Sequence, residues 1–155
     1  MALPVIICIG SSQVVGDSLG PMVGDLLRNK YQTPAYVYGG LKRPVNGVNY
    51  FDYYQHLVKK HPSSLIIAVD ACVGEPKDVG KIKYCAKGLK AGEALNKNLP
   101  RIGDIGIVGI VCARTDDNLF SLMSCPYSLI ENMSEKIAYN ISKFISLPSK
   151  KGVIL

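Results

Sequence analysis

Two short apolar runs constrain this chain more than anything else in it: Val5-Ile6-Ile7-Cys8-Ile9 and Leu65-Ile66-Ile67-Ala68-Val69. Each is too short for an average helix, rich in β-branched residues and free of polar alternation. Each therefore reads as a strand buried on both faces, as in a parallel sheet. A third run, IGIVGIVC over residues 105–112, has the same character. Parallel strands need crossover segments, and the intervening sequence supplies helical patterns. Residues from about Ser18 place Met22, Val23, Leu26 and Leu27 on one face and end in Arg28 and Lys30, with Asp17 or Ser18 as cap and Pro21 in the first turn. Asn46 is placed to cap a second helix reaching Lys60, with Val48, Phe51, Tyr54, Leu57 and Val58 as its apolar positions. A final helix after Pro126 carries the stripe Leu129, Ile130, Met133, Ile137, Ile141, Phe144 and Ile145. Asp116 or Asp117 suits the cap of a short helix through Leu122.

Shorter strands are expected at Ala35–Tyr38 and Val79–Cys85; the second alternates apolar and polar residues, as an edge strand does. Strands alternating with helices predict a single α/β domain over residues 1–155, a three-layer α/β/α sandwich with a mainly parallel sheet. With 48% hydrophobic and 19% charged residues, the composition is that of an ordinary globular chain rather than a disordered one. The net charge of +6 is spread over scattered lysines, and no nucleic-acid motif or lysine–aromatic cluster accompanies it. No membrane is expected either, since no run approaches ~18 apolar residues. The five cysteines, Cys8, Cys72, Cys85, Cys112 and Cys125, form no C-x-x-C pair, which favours a reducing, cytoplasmic setting.

In an open α/β sheet, chemistry gathers at the carboxyl ends of the strands. The run Leu65–Val69 leads straight into Asp70, and Val5–Ile9 leads into the glycine-framed loop GSSQVVGDSLGP, which holds Asp17. Taken alone, Asp17 also reads as a helix cap and Asp70 as a turn-capping carboxylate. Taken as neighbours, two carboxylates either share a proton and divide acid and base roles, or hold a divalent metal that activates water. Both schemes hydrolyse a bond. Competing plans lack their partners: there is no G-x-S-x-G, H-E-x-x-H or P-loop motif, and no histidine is placed to activate Cys72. His56 and His61 both fall at the end of the second helix and read as surface residues. The loop GLKAGEALNKNLPRIGD adds Glu93, Lys97 and Asp104: Lys97 to neutralise a developing oxyanion, or the whole loop as a substrate-binding edge, or a solvated lysine-rich loop.

Four stretches, CIGSSQVVGDSLGPMVGDLL, VYGGLKRPVNGVN, IIAVDACVGEPKDVGKI and LPRIGDIGIVGIV, together resemble the YyaC-type spore proteases of spore-forming bacteria. That family in turn resembles the germination protease and, more distantly, the hydrogenase maturation peptidases. The resemblance implies a phosphorylase/hydrolase-like fold and a protein substrate, such as small acid-soluble spore proteins. It also implies a forespore or spore-interior location. In the germination protease two aspartates are the proposed catalytic pair, and the matching positions here are Asp17 in VGDSLGP and Asp70 in AVDAC. Its glycine-rich loop matches KAGEALNK, which retains Gly92 and Lys97 but carries Glu93 and Leu95 where smaller residues are common. The hydrogenase peptidases bind a metal through two carboxylates and a histidine. Asp17 and Asp70 occupy the carboxylate positions, yet no histidine follows His61. The expectation is an aspartate peptidase needing no cofactor. Three alternatives stay open: a divalent metal on Asp17 and Asp70, a non-catalytic binding protein on the same fold, and a homo-oligomer.

Overall fold

The computed structural model describes residues 2–91 and 100–147. Its centre is a five-stranded sheet in the order β2-β1-β3-β7-β4, built from β1 (Val5–Cys8), β2 (Tyr36–Tyr38), β3 (Ile66–Gly74), β4 (Ile82–Cys85) and β7 (Ile105–Ala113). The first four strands in that order run parallel; β4 closes one edge antiparallel to β7. Two very short strands, β5 (Leu89–Lys90) and β6 (Arg101–Ile102), pair antiparallel outside the main sheet. The α/β/α sandwich expected from the apolar runs is the fold observed.

Strand alternation divides the core in two. Ile6, Cys8, Ile67, Val69 and Ile107 face a layer made by α1 (Leu19–Asn29), α3 (Asn118–Met123) and α4 (Tyr127–Ser146). Val5, Ile7, Ile66 and Ala68 face α2 (Tyr50–Lys60) and the β5–β6 pair. Both faces of β1 and β3 are covered, which is why their sequences show no polar alternation. The α4 stripe packs as its spacing predicts, with Ile130, Ile137 and Ile141 buried, although Phe144 near its end is exposed.

Three local expectations are corrected. The buried face of α2 is Tyr50 and Leu57, whereas Val48 is 89% exposed and precedes the helix. Asn46 organises that entry without being its cap residue: its Oδ1 accepts from the Val48 and Asn49 amides, at 2.9 and 3.1 Å. The stretch GLKAGEALNKNLPRIGD, expected as a loop, contains β5 and β6, each too short to leave a periodic signal. Asp117 does cap α3, its Oδ1 accepting from the Phe120 amide at 3.0 Å.

The helices α1 and α4 are tied at the surface by Glu135, which accepts from both Lys30 Nζ and Tyr31 Oη. The bond from Lys30, then that from Tyr31, holds the Glu135 carboxyl below its ordinary value of 4.5. A carboxyl depressed in the folded state stabilises above its unfolded value, and that contribution is lost as pH falls through the folded one. Thermal melts as a function of pH should therefore show wild type above Glu135→Gln at neutral pH. The two should converge below about pH 4.5; parallel curves down to acid would exclude the tie.

Candidate active site at the sheet switch point

From β1 the chain crosses over α1 to β2 on one side, then over α2 to β3 on the other. The two crossovers diverge between β1 and β3. In such sheets the crevice at the carboxyl ends of two strands so divided is the usual ligand position. The Gly16–Ser18 turn, which carries Asp17, packs against β3, which carries Asp70. Register places Cys8 beside Val69, and the Ile9 amide donates to the Val69 carbonyl at 2.8 Å, so Asp70 begins where β1 turns away.

The loop after β1 folds back tightly. The Ser11 amide donates to the Asp17 carbonyl at 2.9 Å. The same carbonyl lies so near Gly10 that a Cβ there would sit 2.1 Å from it, and a Cβ on Gly20 would sit 2.1 Å from the Ile9 carbonyl. The glycines framing GDSLGP thus let the start of α1 rest directly on the end of β1. Asp17 occupies a 3-10 turn, Gly16–Ser18, and is half-buried. The cap position of α1 belongs to Ser18, whose hydroxyl turns back to the Val15 carbonyl at 2.6 Å and makes no cap bond.

Asp70 does not end its strand, as its sequence position suggested. β3 continues to Gly74 because β7 keeps pairing with it, Asp70 opposite Val108 and Gly74 opposite Ala113, after β1 has left. Asp70 is 5% exposed, with its Oδ1 accepting from the Ala71 amide at 2.9 Å. It shares strand parity with Ile66 and Ala68, toward the α2 layer.

The remaining candidates scatter. Gly92, Glu93 and Lys97 lie outside the described residues. Asp104 precedes β7 at the opposite, amino edge of the sheet, where its Oδ2 accepts from the Ile66 amide at 2.8 Å. The structure therefore does not bring Asp104 to the aspartate pair. Asp104→Ala should lower stability by about 1 kcal/mol in urea titration and leave the chemistry at the crevice untouched; a larger effect on activity than on stability would restore it to the site. His56 is exposed, while His61 is half-buried, stacked on Tyr36 and 3.0 Å from Tyr38 Oη. It closes α2 on the amino side of the sheet, away from Cys72. Cys8 and Cys112 are pushed up to about 12 by burial, and burial also raises Cys125, so these three thiols are poor nucleophiles. Among the described residues no three His, Cys, Asp or Glu side chains are grouped to hold a metal ion.

Sequence reading missed one feature beside Asp70. A cleft of about 380 Å³ opens over the α2-side face of β3, β7 and β4. Cys72, Val108 and Ile110 line it, with Lys83, Lys90, Arg101 and Arg114 around them. These cations come from four separate strands or strand ends, so no local run of sequence announced them. A larger hollow, about 690 Å³, lies by the end of β2; neither it nor the cleft is lined by Asp17 or Asp70. Its Arg28 is already committed to Asp25 and to the Val37 and Gly39 carbonyls.

Comparison with known structures places this fold beside that of a [NiFe] hydrogenase maturation protease, HycI, from Thermococcus kodakarensis KOD1. The TM-score is 0.63, with 18% identity over 94% of both chains. A hydrogenase 3 maturation protease aligns with a TM-score of 0.53 and 12% identity, over 92% of this chain and 91% of that one. At these identities the likeness is one of fold. In sequence, the chain is 39% identical over 138 residues to the uncharacterised protein YyaC of Bacillus subtilis (strain 168), covering 89% of this chain and 67% of that protein. Residues 3–140 match the family described as "Protein of unknown function (DUF1256)", and this chain belongs to that family.

Proposed function

We propose that this protein is an aspartate-dependent endopeptidase of spore formation or germination, with Asp17 and Asp70 as its working pair. What supports the reading is that the Gly16–Ser18 turn, which carries Asp17, packs against β3, the strand that carries Asp70. The fold supports it, because hydrogenase maturation proteases share this architecture. In the proposed reaction one carboxylate takes a proton from water as its oxygen attacks the peptide carbonyl carbon. The other, protonated, delivers its proton to the departing nitrogen as the C–N bond breaks. The products are a free carboxyl and a free amine. Two carboxyls close enough to repel each other would suit this division, since repulsion favours protonation of one of them.

The test is incubation with small acid-soluble spore protein, followed by mass spectrometry. Defined fragments from wild type, and none from Asp17→Asn, are the expected result. No fragments at any of several pH values would overturn the peptidase and favour a binding protein on the same fold, a reading to which the ungrouped histidines also lean.

A further inference from the structure

We propose that the cleft beside Asp70 is a binding groove for an extended, carboxylate-rich polypeptide segment, the part of the substrate that runs away from the crevice. This rests on, and deepens, the peptidase reading.

The argument begins with β5 and β6. Their register sets Lys90 directly opposite Arg101, and both line the cleft. Like charges facing each other across a strand pair are destabilising, so a two-residue ladder carrying such a pair gains from an anion laid over it. Lys83 and Arg114 add positive charge from other sides. Among the described residues Lys83, Lys90 and Arg114 are in none of the ion pairs, which join Arg28 to Asp25, Lys30 to Glu135 and Lys81 to Asp78. Arg101 is held by the Lys87 and Gly88 carbonyls, which orient the guanidinium without neutralising it. Two carboxylates also line the cleft: Glu75, which is exposed, and Asp78, which Lys81 neutralises. The balance is positive.

The form of the cleft selects the ligand. Its cations come from four separate strands or strand ends, which suits several carboxylates spaced along a chain better than a single phosphate. Among the described residues no aromatic side chain lines it, so these offer bases nothing to stack on. The floor is apolar, Val108, Ile110 and Leu89, and suits intervening hydrophobic side chains. Alternation on β4 turns Lys83 and Cys85 to the cleft and Ile82 to the opposite core, so the groove runs out to the sheet edge. At its inner end Val108 is the register partner of Asp70. A segment lying in the groove therefore leads to the proposed reacting carboxylate.

The experiment uses the full chain carrying Asp70→Asn, to stop turnover, and a fluorescein-labelled glutamate-rich decapeptide followed by anisotropy. Binding should weaken as salt is raised, and by at least about tenfold in Lys83→Glu/Arg114→Glu. Lys59→Glu/Lys60→Glu, at the far end of α2, should leave it unchanged. Circular dichroism checks that each variant is folded. Absence of binding, equal binding by the Lys83/Arg114 variant, or tighter binding of single-stranded DNA or inorganic phosphate would each overturn the groove. The two readings also fail separately. An acidic peptide bound but never cut by wild type would sink the peptidase and keep the groove. Neutral and acidic peptides cut equally fast, by wild type and by the Lys83/Arg114 variant, would do the reverse.

Discussion

Replacing Asp70 by asparagine should reduce peptide hydrolysis by about 10²–10⁴-fold while leaving the protein folded. The substitution keeps the side chain's shape, and an amide oxygen can still accept from the Ala71 amide as Oδ1 does now, at 2.9 Å. What disappears is the carboxylate's ability to take or hold a proton. Initial rates against pH, with circular dichroism on the same samples, separate these effects. A variant that is fully folded and as active as wild type at every pH would remove Asp70 from the reaction. One that melts far lower would show the carboxylate to be structural, as a buried carboxylate with a backbone partner can be.

The second large effect lies in the backbone that carries Asp17. Gly20→Val should destabilise the protein by about 3 kcal/mol, lowering its melting temperature by roughly 6–12 °C for a domain of this size. A Cβ there would stand 2.1 Å from the Ile9 carbonyl, and Ile9 is itself pinned to Val69 through its amide. Backbone on both sides of the clash leaves no side chain to yield. The start of α1 must move off the end of β1, taking Asp17 with it, so activity should fall further than stability alone would require. Thermal unfolding of purified Gly20→Val reads the first part directly. A melting temperature within a degree or two of wild type would mean that α1 accommodates the side chain, and the packing account of the GDSLGP glycines would be wrong.

Much of this was legible in the residues. The unbroken apolar runs of β1, β3 and β7 could only be strands covered on both sides, and α4 declared itself by its stripe. Asp117 was readable as a cap because capping is a local interaction, settled within a turn. The failures share the opposite character. Asp70 was taken for a strand terminus because its polarity ended an apolar run. Where a strand ends depends on its neighbours: β7 continues alongside to Ala113 and β1 does not. Asp104 looked like part of a substrate loop, yet its carboxylate closes on the Ile66 amide, distant in sequence and adjacent only once β3 and β7 pair. The face of α2 was misjudged by less than half a turn because tyrosines and valines mark its rim as well as its core.

What the sequence alone determined, then, is the class of fold and the identity of two carboxylates after strands, since both follow from burial pattern and local chemistry. The order of the strands is a tertiary matter. It is the placement of β1 between β2 and β3 that sets the turn carrying Asp17 against the strand carrying Asp70, far apart along the chain. The same order gathers lysines and arginines from β4, β5, β6 and the end of β7 around one cleft. Charges contributed singly by separate strands leave no pattern along the chain, because their proximity exists only across the sheet.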